Sequence, residues 1–122
     1  MPKIKLAKAT DEQLNWLVTE IFFYMAANKQ VHVKTWVLDA HRKGETKGNP
    51  YVTDALWAWP IIEQNFWCIP RMNTNPGALH LGQFAASTPG GIDYYGDSSF
   101  RASMRAYIAT YMGNEPEVPE GV

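Results

Sequence analysis

Between residues 11 and 27 the apolar side chains fall at Leu14, Leu17, Val18, Ile21, Phe22 and Met25, the three- and four-residue spacing of an amphipathic helix. Thr10 or Asp11 offers an N-cap, and Asp11 and Glu12 place negative charge where the helix dipole favours it. A second helix is predicted over about 98–112. Phe100, Met104, Tyr107, Ile108, Tyr111 and Met112 share one face, Ala102, Ala106 and Ala109 keep the propensity high, Asp97 or Ser98 caps the start, and Gly113 ends it. Period-two alternation marks other segments as extended: 2–8 as a half-buried strand or arm, and 31–38, rich in Val and Thr, as a strand. Residues 66–72 and 79–86 read as an antiparallel pair around the turn-forming sequence 73–77. Thr53 or Asp54 can cap a short helix near 54–64 that Pro60 interrupts. Residues 41–50 and 88–97 read as loops, and 114–122 as an extended or frayed acidic tail. The pattern predicts an α+β fold: a small, mainly antiparallel sheet packed against two principal helices, about 11–27 and 98–112, plus the short Pro-interrupted helix.

At 122 residues and 46% hydrophobic content, 1–122 fits a single domain with one core. Eleven basic against twelve acidic residues leave a net charge of −1, which disfavours general nucleic-acid binding. The charge is uneven, with eight basic and five acidic groups in 1–50 against three and seven in 51–122. Cys68 is the single cysteine, so no intramolecular disulfide can form and a reducing cytoplasm fits. No secretory signal pattern opens the sequence, and the longest apolar run, 21–27, is far short of the roughly 20 residues that span a bilayer. The apolar content is generous enough to favour self-association into a homo-oligomer.

Candidate chemistry is sparse. His32, His41 and His80 lack metal-ligand spacing, and no cysteine pair supports them. Ser98 or Ser99 with His80 and Asp93 or Asp97 makes a triad only on paper, and Cys68, inside an apolar run, reads as a buried inert thiol. No catalytic residue, metal or cofactor is assigned. Binding chemistry is better represented. Trp57, Trp59 and Trp67 fall within eleven positions, and on a helical turn Trp57 and Trp59 diverge by about 200°, so at most one can point fully inward. Exposed indoles mark a contact surface or a stacking platform for a planar group, against the alternative of plain core. Tyr94 and Tyr95 lie in a Gly-rich segment running into the last helix, where Ser98 and Ser99 could meet an anion or merely cap the helix. Arg101 and Arg105, four residues apart, form either an anion clamp or a solvated stripe.

Three blocks span nearly the whole chain: Leu6-x-x-Ala9 with Leu14-x-Trp16-x-Val18; Trp59-Pro60-Ile61-Ile62-Glu63; and Arg101-Ala102-x-Met104-Arg105-Ala106-Tyr107-Ile108-Ala109 followed by Gly113-x-Glu115-x-Glu117-Val118-Pro119. In these blocks the chain resembles the NinX family of small tailed-phage proteins, a domain of unknown function. The resemblance implies a phage accessory protein acting in the host bacterial cytoplasm, with inhibition of a host defence as its expected role; it brings no catalytic residues. The combined expectation is a non-catalytic binding protein that sequesters a small nucleotide-like ligand through Trp57, Trp59, Tyr94, Tyr95, Ser98, Ser99, Arg101 and Arg105. The alternatives are an inhibitor that binds a host protein directly, and a small hydrolase.

Overall fold

The structure, a computed structural model, describes residues 2–28, 35–45, 48–72 and 83–122. Its helices are α1 (Asp11–Asn28), α2 (Thr35–Arg42), α3 (Ala55–Gln64) and α4 (Ser99–Met112), and its strands are β1 (Arg71–Met72), β2 (Phe84–Ser87) and β3 (Asp93–Gly96). The strands form one antiparallel sheet in the order β1-β2-β3, with Ala85 opposite both Arg71 and Tyr95. The α+β expectation holds, with a different layering: among the described α-helices it is α4 that packs on β2 and β3, joined there by the 3-10 turns Leu6–Lys8 and Phe66–Cys68, and α1 packs on α4. Covered on two sides, α4 buries Ala102, Ser103, Met104, Ala106, Tyr107 and Ile108. Its alanines therefore serve packing as well as propensity, since small side chains let both layers approach. A Cβ on Gly96 would lie 2.8 Å from the Ala102 nitrogen, so the end of β3 can reach the start of α4 only as glycine.

Local chemistry explains the helix ends. Thr10 and Gln13 form a reciprocal capping box at α1, the Thr10 N–H donating to Gln13 Oε1 at 3.0 Å and the Gln13 N–H to Thr10 Oγ1 at 3.2 Å. Along α1, Leu14, Leu17, Val18 and Ile21 enter the core together with Trp16, whereas Phe22, placed on the apolar face by its spacing, is exposed. At the end of α4, Gly113 adopts φ 78° and donates its N–H to the Ala109 carbonyl.

Several expectations are corrected. Thr35–Arg42 is helix, not strand: the β-branched alternation is local, and the helix it yields to buries His41 against α1. His41 is thus core rather than the start of an exposed loop. Residues 31–34, the 73–77 turn, positions 79–82, His32 and His80 lie outside the described residues. Pro60 stands inside a continuous α3 instead of breaking it; the carbonyl it leaves without a donor belongs to Leu56, on the exposed side of the helix. Phe66–Cys68 is a 3-10 turn, and only Arg71–Met72 pairs with β2. Asp93–Gly96 is strand rather than loop, joined to β2 through the Thr88 and Gly91 turn.

The acidic tail is extended as expected, but it is held rather than frayed. Ile4 donates to Pro116 O at 3.0 Å, Leu6 to Asn114 O at 2.9 Å, and Val118 to Pro2 O at 3.1 Å, an antiparallel pairing of the two chain ends. Pro2 and Pro116 have no N–H for the reciprocal bonds, which limits this ladder to an isolated bridge. Val118 and Leu6 are buried beneath it. No helix among the described residues is long and apolar enough to cross a membrane.

Candidate functional site

Asp54 starts α3, its carboxylate accepting from Leu56 N–H at 3.0 Å. Ala58 and Ile62, one turn apart, form the buried stripe against the core. One residue to either side of Ala58 is about 100° around the helix. Trp57 and Trp59 consequently flank the stripe, 40% and 45% exposed, and neither points fully inward. Trp57 meets Tyr51 edge-on at 5.6 Å, Trp59 meets Phe100 edge-on at 5.9 Å, and Trp67 lies nearly parallel to Tyr107 at 6.5 Å. The three indoles rest on three separate supports and do not make one platform.

At the start of α4, Ser98 and Arg101 are engaged within the protein. Ser98 Oγ accepts the Arg101 N–H at 3.2 Å as the N-cap. Arg101 donates through Nε and Nη2 to the two carboxylate oxygens of Asp11, both at 2.7 Å, and through Nη1 to Asp97 at 3.0 Å. The Arg101 hydrogen bond holds the Asp11 carboxyl below its ordinary pKa, and Asp11 in turn raises that of Arg101. Two carboxylates already meet the charge of this guanidinium. Ser99 is half-buried in the first turn.

Arg105, one turn further along α4, is placed differently. Nη1 donates to the Tyr95 carbonyl at 2.7 Å and Nη2 to the Ala9 carbonyl at 3.1 Å, tying β3 and the chain before α1 to α4. It lies on the wall of a cleft of about 520 Å³ together with Gln83, Tyr94, Tyr95, Asp97 and Asn114. Tyr94 is mostly buried and donates its hydroxyl to Asn114 Oδ1. Tyr94, Tyr95 and Arg105 are thus brought together, while Trp57, Trp59, Ser98, Ser99 and Arg101 do not line this cleft. Gln83 and Asn114 were not singled out from the sequence, because a lone amide carries no motif.

A second polar cluster joins α1 to α2. His41 is 1% exposed, stacked on Trp16 at 4.5 Å and 7° and met by the edge of Phe23 at 5.3 Å. Its Nε2 lies 3.3 Å from a Glu20 carboxylate oxygen, yet neither ring nitrogen completes a hydrogen bond. Burial lowers the His41 pKa and raises that of Glu20, which favours a neutral imidazole. Cys68 is fully buried and its thiol is pushed up to about 11, so it is protonated and shielded. Among the described residues no three His, Cys, Asp or Glu side chains come together as a metal ion would require.

In comparisons with known proteins, no protein-family model, no curated protein and no solved structure matches this chain.

Proposed function

We propose that the chain is a phage accessory protein of the NinX kind, acting in the host bacterial cytoplasm as a non-catalytic counter-defence protein that sequesters a small nucleotide-like ligand in the cleft between β3 and α4. The observation that carries this reading is the meeting of Tyr94, Tyr95 and Arg105 on one cleft of about 520 Å³. That volume falls within the roughly 300–1,000 Å³ common for small-molecule sites. Gln83 brings an amide whose paired donor and acceptor suit the edge of a base, Asn114 adds an amide donor beside it, its Oδ1 being taken by Tyr94, and Tyr95 brings an aromatic wall. A thermal-shift screen of mononucleotides, cyclic nucleotides and ADP-ribose-like compounds tests it. The reading expects a raised melting temperature with at least one of them, reduced in Tyr95→Ala; a panel that leaves the melting temperature unchanged refutes it.

One observation favours the alternative of a host-protein inhibitor. Leu56, Trp57 and Trp59 are each exposed on α3, Leu56 and Trp59 on one side of the Ala58 stripe and Trp57 on the other, and exposed aromatics anchor protein interfaces. In that case Trp57→Ala and Trp59→Ala abolish capture of a host protein and leave nucleotide-induced stabilisation untouched.

A further inference from the structure

Charges on the cleft wall pair unequally. Asp93 holds Arg71 at 3.0 Å and accepts from Ser87, and Asp97 holds Arg101 at 3.0 Å, so each lining carboxylate has its own arginine. Arg105 is the exception. Among the described residues no carboxylate lies within the 4.0 Å of an ion pair with it, and Asp97 and Asp11 act on it only from further off; both of its hydrogen bonds go to neutral backbone carbonyls, and its Nε is buried without a partner. A partly buried guanidinium whose direct hydrogen bonds go only to neutral carbonyls has lost water without gaining an ion pair, and an anion arriving at it recovers part of that loss. Two of its five N–H groups are used and Nε is shielded, which leaves one hydrogen on each of Nη1 and Nη2 that a phosphate oxygen can accept.

We infer that the ligand of this cleft carries a phosphate group and seats it on Arg105, and that the start of α4, with Ser98, Ser99 and Arg101, is not the anion site. This rests on the cleft being the binding site and adds the ligand's charge and its docking point. A nucleoside monophosphate fits the arrangement, its base lying toward Tyr95, Gln83 and Asn114 and its phosphate on Arg105.

Calorimetric titration of the whole chain with AMP and GMP against adenosine and guanosine tests the inference. A monophosphate binding about tenfold or more tighter than its nucleoside is expected, from the gain of a charge-assisted pair. Arg105→Gln lowers monophosphate affinity to that of the nucleoside, Arg105→Lys falls between, and Ser98→Ala/Ser99→Ala binds as the parent does. Because Arg105 also ties β3 to α4, the parent protein supplies an independent readout: with arginine labelled by nitrogen-15, the Arg105 Nε–Hε resonance shifts on adding AMP and that of Arg101 does not. Equal affinity for nucleoside and monophosphate overturns the phosphate assignment while leaving the cleft as a binding site. Binding by neither overturns the phosphate assignment, and overturns the cleft as well where the cyclic and ADP-ribose-like compounds also leave the melting temperature unchanged. A response of Arg101 without Arg105, or loss of binding in the serine variant, moves the anion to the helix start and overturns its placement here.

Discussion

Arg101 is assigned as a strut between the starts of α1 and α4, and a double-mutant cycle with Asp11 measures that role. The pair is bidentate at 2.7 Å, with side chains 29% and 36% exposed, joining residues 90 positions apart. Exposed ion pairs contribute roughly 0.2–1 kcal/mol and hydrogen bonds to charged groups about 1.5–3 kcal/mol. Partial exposure with two good bonds places the coupling at about 1–2 kcal/mol. Urea unfolding of the parent, Asp11→Asn, Arg101→Gln and the double variant extracts it, provided the denaturant slopes agree. The folded Asp11 pKa lies below the ordinary 3.8, so its stabilisation is present above that pH and is lost as pH falls through the lower folded value. Repeating the cycle in acid should therefore shrink the coupling. A coupling under about 0.3 kcal/mol at neutral pH refutes the strut, as does an Arg101→Gln variant of parental stability that no longer binds the nucleotide.

Three further outcomes are expected. Ser98→Ala removes the cap of α4 and lowers unfolding free energy by about 1 kcal/mol without weakening nucleotide binding, checked by urea melts and calorimetry. Ile62→Ala leaves a cavity beneath α3 and costs about 2–5 kcal/mol, read from the shift in urea midpoint. His41, with a folded pKa below 6.5, gives a stability contribution present above that value and lost as pH falls through the folded one. Urea midpoints measured stepwise from neutral pH down to mildly acid pH should fall in the parent and fall less in His41→Gln; parallel curves contradict the assignment. Glu20, whose pKa is raised, offsets part of that loss at the acid end, because its protonation is easier in the folded state.

What was legible in the sequence was mostly what local chemistry decides. The apolar spacing of 11–27 and 98–112, the Thr10 cap and the Gly113 end all set local backbone conformation and survive into the structure. The 100° step between residues also gave the divergence of Trp57 and Trp59, though not the small Ala58 that places them astride a buried stripe. Long-range packing was not legible. Helix at Thr35–Arg42 overrides the β-branched pattern, and nothing local signals that His41 lies under Trp16, 25 positions away. The tail reads as loose until it pairs with residues 2–6. At the candidate site, Tyr94 and Tyr95 were conspicuous in their Gly-rich surroundings. Arg105 and Arg101 looked alike as a helical stripe, and only the distant partners separate them: a carboxylate at Asp11 for one, a bare carbonyl at Ala9 for the other.

The central claim is that a nucleotide-like ligand occupies the cleft between β3 and α4. Its most direct test is a two-dimensional proton–nitrogen spectrum of the labelled chain recorded during titration with AMP. Occupancy of the cleft produces saturable shifts at the amides of Tyr95, Gly96, Asp97 and Asn114 and leaves the indole signals of Trp57 and Trp59 still. Shifts confined to those two indoles, or a spectrum that AMP leaves unchanged, would contradict it.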